Sequence, residues 1–178
     1  MKTYFLWLEP TGKARELLAS TIAHLSQEYG GPLFDPHVTL LGDVTGQEGK
    51  LPHTTEKLAH ILSPFDLTLT IPAFQDQYFQ CVFMRVKETS TLLEAHTLAR
   101  KVFHKVDAPP YMPHLSLLYG SYTKSAKEQI IGNVSTSLSV QFKTTAVTLF
   151  RDEGNNPTNW RKLQTFGFGA HDEQGSSE

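Results

Sequence analysis

The sequence predicts an α+β protein with a duplicated, bilobal fold, in which two mainly antiparallel sheets flanked by helices enclose a central cleft. The order strand, helix, strand, helix, strand occurs twice along the 178 residues. Two similar segments, PHVTL at residues 36–40 and PHLSL at residues 113–117, occupy the same place in this order. We therefore expect two halves related by a pseudo-twofold axis.

The distance between elements supports the duplication. From the first strand of each half to its histidine there are 33 positions between Tyr4 and His37, and 32 between Val82 and His114. Each histidine therefore follows the first strand of its half at nearly the same separation. We expect both histidines to face the cleft between the lobes.

The first half covers about residues 1–75. Its apolar patterns and turn residues predict a strand at 4–8, a helix at 13–29 ended by two glycines, a motif strand at 37–41, a helix at 55–62 and a strand at 65–71. A polar loop at 42–52 contains glycine and is a candidate lid over the cleft.

The second half covers about residues 76–170. The same patterns predict a strand at 80–87, a helix at 90–105, the second motif strand, a helix at 124–131, and strands at 138–150 and 163–168 joined through a turn at 154–157. We expect one domain at residues 1–170 and a polar, disordered tail at 171–178.

Composition and charge argue against several classes of protein. Sixteen Lys and Arg against 18 Asp and Glu leave no global attraction for a polyanion, so we expect no long nucleic acid as partner. Cys81 has no second cysteine with which to form a disulfide, and we expect it to be a small buried residue. No apolar run reaches the length of a signal peptide or a membrane helix. We expect a cytoplasmic, monomeric protein that does not contact membranes.

Each motif places one imidazole and one hydroxyl on the same face of a strand. Because successive side chains alternate between faces, His37 lies beside Thr39, and His114 lies beside Ser116. An imidazole titrates near pH 6.5, so one of two facing histidines can act as base while the other acts as acid. This pairing suits phosphodiester cleavage, with the hydroxyls donating to phosphate oxygens. No metal or other cofactor is needed, and the motifs lack the carboxylates that magnesium prefers.

The two motifs resemble the H-x-[TS]-hydrophobic signatures of the 2H phosphoesterase superfamily, whose fold is also called LigT-like. The segments FQCVF at residues 79–83 and PYMPHLSLLY at residues 110–119 resemble the cyclic nucleotide phosphodiesterase branch of plant and yeast type. The resemblance spans residues 4–168 and implies a bilobal α+β fold with a water-filled cleft. Plant members can carry a disulfide that the lone Cys81 cannot form.

The resemblance also implies an activity and site residues. Members of this branch open ADP-ribose 1″,2″-cyclic phosphate, a by-product of tRNA splicing, to ADP-ribose 1″-phosphate, and open nucleoside 2′,3′-cyclic phosphates to 2′-phosphates. Small cyclic-phosphate nucleotides are thus the implied ligands, with His37 and His114 as the catalytic pair and Thr39 and Ser116 as phosphate ligands. Tyr119 matches a tyrosine near the phosphate. A regular strand would place it on the face opposite His114, so its role requires a bend or bulge.

Other functions stay open at this point. One is an RNA-end or 2′,5′-phosphodiesterase of the same superfamily, and another is a noncatalytic module that binds nucleotides without turning them over. A zinc site is a weaker rival, because a third ligand is missing. The remaining histidines in helical segments are expected at the surface or its boundary, and these are His24, His60, His96 and His104. His53 is expected in an exposed loop.

Several aromatic and basic residues allow two interpretations. Tyr78 and Phe79 either stack on a nucleobase or pack against the other lobe. We expect Trp7 in the core. We expect Trp160 to pack in the last hairpin, with stacking at the edge of the cleft as the alternative. A modest basic cluster either meets a phosphate or forms a solvated face, and it consists of Arg151, Arg161 and Lys162.

Overall fold

The computed structural model describes residues 2–105, 107, 109–134, 138–154 and 156–169, so the predicted tail at 171–178 lies outside the described residues. This part of the chain forms four α-helices and eight β-strands. The helices are α1 (Gly12–Tyr29), α2 (Leu51–Ile61), α3 (Ser90–Val102) and α4 (Lys124–Val134). The strands are β1 (Thr3–Leu8), β2 (Val38–Val44), β3 (Phe65–Phe74), β4 (Val82–Val86), β5 (His114–Leu118), β6 (Gln141–Thr144), β7 (Ala146–Asp152) and β8 (Arg161–Gly167).

All eight strands join one curled antiparallel sheet in the order β6-β3-β4-β5-β2-β1-β7-β8. The motif strands β2 and β5 lie at its centre, where Val38 pairs with Leu115. The expected α+β fold is therefore confirmed. The two expected sheets are four-stranded halves that are continuous through this pair.

The two sequence halves are interlaced within the sheet. β3, the third strand of the first half, pairs with β4 of the second half, and β7 of the second half pairs with β1 of the first. The helices cross in the same way, because α1 packs on β5 and α3 packs on β2. Each side of the sheet is thus built from both halves of the chain.

The predicted strand at 138–150 is wrong as a single element. Residues 141–144 form β6 beside β3, whereas residues 146–152 form β7 on the other side of the sheet, beside β1. The alternating burial of β6 changes to continuous burial along β7, which lies between two strands. A strand that changes partners at one residue keeps an extended backbone, so its sequence pattern does not reveal the break.

The predicted loop at 42–52 is shorter in the structure, because both of its ends belong to regular elements. β2 continues to Val44, and α2 begins at Leu51 with Pro52 in its first turn, where proline is tolerated because that N–H has no helical partner. Residues 45–50 remain as the connection. His53 therefore lies in α2 and not in a loop, and its side chain is exposed as expected.

The hydrophobic core lies between the helices and one face of the sheet. Fully buried residues of the helices, such as Leu18, Leu58 and Leu92, pack against strand residues such as Leu40 and Leu117. The motif histidines lie on the other face of the sheet, away from this core. In the part of the chain that the structure describes, no helix is long and apolar enough to span a bilayer.

A substitution at Gly31, which follows α1, tests how closely this segment packs against the second motif strand. A Cβ at this position would lie 2.7 Å from Leu118 Cδ1 and 2.7 Å from the carbonyl oxygen of Tyr119. We expect Gly31→Ala to lower the free energy of unfolding by about 1–3 kcal/mol, because the backbone oxygen has no room to yield. Gly49→Ala, where the added Cβ meets nothing within 4 Å, is the matched control and should change it by less than about 0.5 kcal/mol. Equal urea midpoints for the two variants would contradict this packing.

Candidate active site

A cavity of about 430 Å³ opens on the sheet face opposite the core. All five residues that the sequence selected line it, namely His37, Thr39, His114, Ser116 and Tyr119. The other lining residues are Thr3, Phe5, Trp7, Asp43, Phe79, Gln80, Asp152 and Trp160. The central cleft expected between two similar motifs is therefore present.

The register between β2 and β5 determines how the motifs face each other. Val38 is paired with Leu115 in an antiparallel sense. Continued by one residue in each direction, this register sets His37 opposite Ser116 and Thr39 opposite His114. Each imidazole thus lies across from the hydroxyl of the other motif.

Both motif strands contain a β-bulge three residues after the histidine. The consecutive β1 residues Trp7 and Leu6 pair with Thr39 and Leu41 of β2, so Leu40 is an extra residue without a partner position on β1. In β5 the pairing with β4 moves from Ser116 to Leu118 in the same manner, which makes Leu117 the extra residue. The bulges place two consecutive leucines on the core side of each strand.

The second bulge brings Tyr119 into the cleft. After the extra residue, alternation resumes one position later, so Tyr119 shares the face of His114 and Ser116. The bend that the position of Tyr119 required is therefore present. The corresponding position of the first motif is Gly42, whose absent side chain would meet Phe5 at 3.5 Å.

The two imidazoles are oriented by the same local hydrogen bond. Nδ1 of His37 donates to the Asp35 carbonyl at 2.7 Å, and Nδ1 of His114 donates to the Met112 carbonyl at 2.9 Å. Because a carbonyl only accepts, Nδ1 carries the proton in each neutral ring. Nε2 is then the free acceptor of each ring.

His37 lies in an apolar, aromatic environment. Its ring stacks on Trp7 with centroids 3.5 Å apart, and it is 6% exposed. The pKa of His37 is lowered to about 4, mainly by burial and in smaller part by the nearby His114, against the raising effect of the hydrogen bond to the Asp35 carbonyl.

His114 is less enclosed than His37. It is partly buried and meets Phe83 edge-on at 5.1 Å between ring centroids. Burial lowers the pKa of His114 below its ordinary value, and the hydrogen bond to Met112 opposes this effect. In the free protein both imidazoles are therefore mainly neutral at pH 7.

The hydroxyl groups of the site differ in their partners. Ser116 Oγ donates to the Phe79 carbonyl at 3.1 Å, so it must turn to bind a ligand in the cleft. Thr39 is partly exposed in the cleft. Tyr119 is 2% exposed and stacks on Phe34 with centroids 3.9 Å apart, and burial raises the pKa of its phenol. Tyr119 is thus a neutral hydroxyl.

Aromatic residues of the cleft were only partly foreseen. Trp7 is buried as expected, but it also lines the cleft. Trp160 does more than pack within its hairpin, because it lines the cleft and its ring centroid lies 5.2 Å from that of Trp7 and 5.9 Å from that of Tyr119. Phe79 also lines the cleft and is 36% exposed. The period-two alternation of Phe5 and Trp7 on β1 was the sequence signal for this aromatic wall.

The basic cluster near the last hairpin is neutralised by carboxylates. Arg151 pairs with Glu48 and Glu153, and Lys162 pairs with Glu9 at 2.9 Å. Arg161 also lies 3.9 Å from Glu153. Among the described lining residues of the cleft there is no Lys or Arg, whereas Asp43 and Asp152 are present.

Two further expectations have different outcomes. His96 was expected near the surface, but it is 9% exposed and its Nδ1 donates to the Leu40 carbonyl at 2.7 Å. That expectation was wrong because His96 lies on the face of α3 that packs on β2. Cys81 is buried as expected, and burial raises the pKa of its thiol. Among the described residues, no group of three or more His, Cys, Asp or Glu is placed to hold a metal ion.

The low pKa of His37 makes the stability of the protein depend on pH. The unfolded chain binds a proton at this residue near pH 6.5, whereas the folded chain binds it only near pH 4, so stability falls as pH decreases through this window. Between pH 7 and pH 4 the wild type should lose about 3 kcal/mol more than His37→Phe, which keeps an aromatic ring but does not titrate. Urea unfolding at both pH values measures the difference. The same pH dependence in both proteins would contradict the buried neutral ring.

Comparison with known proteins agrees with this geometry. The family model described as cyclic phosphodiesterase-like protein matches residues 1–168. A cyclic phosphodiesterase of Arabidopsis thaliana is 31% identical over 127 residues, which cover 70% of this chain and 69% of that protein.

Solved structures share the fold. TT0787 of Thermus thermophilus superposes with a TM-score of 0.66 at 17% identity, covering 95% of this chain and 100% of that one. LigT of E. coli in complex with NADP+ superposes with a TM-score of 0.64 at 15% identity, covering 94% of this chain and 97% of that one. LigT has also been crystallised with 3′-AMP and with ATP. The chain belongs to the cyclic phosphodiesterase-like protein family, a family of 2H phosphoesterase enzymes.

Proposed function

We propose that the protein hydrolyses ADP-ribose 1″,2″-cyclic phosphate to ADP-ribose 1″-phosphate and nucleoside 2′,3′-cyclic phosphates to nucleoside 2′-phosphates, by acid–base catalysis with His37 and His114. The observation that carries this proposal is the matched pair of imidazoles in one cleft. Each donates Nδ1–H to a carbonyl two residues earlier, which leaves Nε2 to exchange a proton with substrate or water.

The reaction needs one neutral and one protonated imidazole. The neutral ring accepts a proton at Nε2 from a water molecule as its oxygen bonds to phosphorus. The protonated ring gives its Nε2 proton to the ester oxygen as the ring bond from phosphorus to that oxygen breaks. One imidazole gains a proton and the other loses one, so the two rings have exchanged protonation states at the end of the reaction. Each such transfer contributes about 10²- to 10⁴-fold in rate.

The hydroxyls supply the remaining stabilisation. Thr39 and Ser116 donate hydrogen bonds to the nonbridging phosphate oxygens, on which charge increases in the transition state. Tyr119 is a third donor near the phosphate, and its raised pKa keeps the proton that it needs to donate. The pseudo-twofold register supports this assignment, because each hydroxyl lies opposite the histidine of the other motif.

The charges of the cleft support a small substrate. The described lining has two carboxylates and no Lys or Arg, so a chain of phosphates finds no counterions there. This favours a small cyclic nucleotide over the alternative of an RNA end or a 2′,5′-linked oligonucleotide. Ligands of LigT, which shares this fold, include 3′-AMP and ATP, and a nucleotide is accordingly the ligand class that we propose. The substrate link to tRNA splicing belongs to the same proposal.

We also propose that the protein is a monomer and acts in the cytoplasm without a metal ion or cofactor.

Turnover in the presence of excess EDTA tests the proposed function. Wild-type protein should hydrolyse 2′,3′-cyclic AMP and ADP-ribose 1″,2″-cyclic phosphate, and the products should carry the phosphate at the 2′ and 1″ positions. His37→Ala and His114→Ala should each lose at least about 10²-fold in kcat. His24→Ala removes an exposed imidazole from α1 and is the matched control that should keep wild-type activity. Binding without turnover by the wild type would instead identify a noncatalytic nucleotide-binding module.

The pH dependence of kcat/KM tests the two-histidine mechanism separately. The pH dependence of kcat/KM reports the pKa values of the free protein. The rising and falling sides of this profile should therefore reflect the lowered pKa values of His37 and His114. We expect a bell-shaped profile of kcat/KM with its maximum below pH 6.5. Above that pH, kcat/KM should decline because the imidazole that acts as acid loses its proton. A bound anion favours the protonated imidazole and so raises its pKa. The pH profile of kcat should therefore lie at higher pH than that of kcat/KM. A kcat/KM that rises steadily from pH 6 to pH 9 would contradict the mechanism.

A further inference from the structure

A stacked pair of aromatic side chains lies behind the first motif strand. His96 of α3 and Tyr111, three residues before His114, have ring centroids 3.9 Å apart and planes 5° apart. Burial lowers the pKa of the His96 imidazole and raises the pKa of the Tyr111 phenol, so both rings are neutral near pH 7. Neither belongs to the described lining of the cleft. Any effect of this pair on a reaction is therefore exerted through other residues.

Each ring donates a hydrogen bond to one of two consecutive carbonyls of β2. The Tyr111 hydroxyl donates to the Thr39 carbonyl at 3.0 Å, and His96 Nδ1 donates to the Leu40 carbonyl at 2.7 Å. Leu40 is the extra residue of the bulge, where regular pairing with β1 is interrupted. A buried carbonyl without a partner costs about 1–3 kcal/mol. The two side chains thus supply hydrogen-bond donors to the backbone at the bulge beside Thr39.

Tyr111 also adjoins the backbone that orients the second imidazole. The next residue, Met112, accepts the hydrogen bond from Nδ1 of His114. One phenolic hydroxyl therefore ties the Thr39 backbone of the first motif to the segment that orients His114 in the second. This link crosses from one motif strand to the other at the point where β2 departs from regular structure.

We infer that His96 and Tyr111 are positioning residues that hold the Thr39 strand in register with the His114 segment. The inference rests on the proposed function and adds two residues that do not touch the substrate. Their loss should lower kcat more than it raises KM, because a hydroxyl and an imidazole would be misaligned while the walls of the cleft remain.

Tyr111→Phe tests the inference with the smallest change, because it keeps the stacked ring and removes the hydroxyl. We expect kcat for 2′,3′-cyclic AMP to fall about tenfold, with KM within about twofold of wild type. Tyr122→Phe is the matched control, since the Tyr122 hydroxyl donates to the Tyr29 carbonyl at 2.9 Å outside the cleft lining. Both variants should have similar melting temperatures, and Tyr122→Phe should keep wild-type kcat.

A double-mutant cycle identifies the residue through which Tyr111 acts. In a Thr39→Ala background, Tyr111→Phe should cost less than about threefold in kcat, because the hydroxyl that it aligns is already absent. Full additivity of the two effects, or equal kcat for Tyr111→Phe and Tyr122→Phe, would overturn the inference.

His96 gives an independent test of the same positioning. His96→Asn keeps an N–H donor near the place of Nδ1, whereas His96→Leu leaves the Leu40 carbonyl without a donor. We expect Asn to retain more kcat than Leu at temperatures where both variants are folded. Equal kcat for the two variants would count against the carbonyl contact.

The ring signals of His114 in NMR spectra separate this inference from the proposed function. If the wild type fails to turn over cyclic nucleotides, the proposed function is wrong, whereas the positioning contact is still tested by these signals. Tyr111→Phe should shift them through Met112, and Tyr122→Phe should not. Unchanged His114 signals in Tyr111→Phe would overturn the inference whether or not the protein is active.

Discussion

The site depends on the antiparallel pairing of Val38 with Leu115, through which the two motif strands meet. This register faces each imidazole toward the hydroxyl of the other motif, and a slip of one residue would turn one motif into the core. The interlaced topology stabilises this register. β3 of the first half pairs with β4 of the second, and β7 of the second half pairs with β1 of the first. Each motif strand is also covered by a helix of the opposite half, because α1 packs on β5 and α3 packs on β2. The equivalent bulges at Leu40 and Leu117 then complete two similar half-sites.

Desolvation sets the chemical state of this site. His37 is enclosed by Trp7, and burial lowers the pKa of both His37 and His114, so the free protein holds its imidazoles neutral. A phosphodiester bound in the cleft brings a further negative charge close to the imidazoles. In the proposed mechanism this anion favours protonation of one imidazole, so that the substrate helps to create the acid that it needs. The Ser116 hydroxyl, held by the Phe79 carbonyl in the free protein, is available for the same anion once it turns.

Much of the fold and the site could be predicted from the sequence, because they are encoded in local patterns. The duplicated order of elements and the period-two motifs predicted the α+β fold and the residues that now line one cleft. Tyr119 required a bend or bulge, which a strand pattern cannot place and which only the resemblance to the family implied. The split at Thr145 and the burial of His96 were not foreseen, since both depend on which distant strand or helix lies alongside. The contacts of Trp160 with Trp7 and Tyr119 likewise depend on tertiary packing.

The central claim is that one imidazole is neutral and the other protonated when a phosphate occupies the cleft. ¹⁵N NMR of the His37 and His114 rings at pH 7, recorded without ligand and with saturating 2′-AMP, tests it most directly. Both free rings should be neutral with the proton on Nδ1, and 2′-AMP should convert one ring to the imidazolium. Two rings that stay neutral in the complex, or free rings with the proton on Nε2, would contradict it.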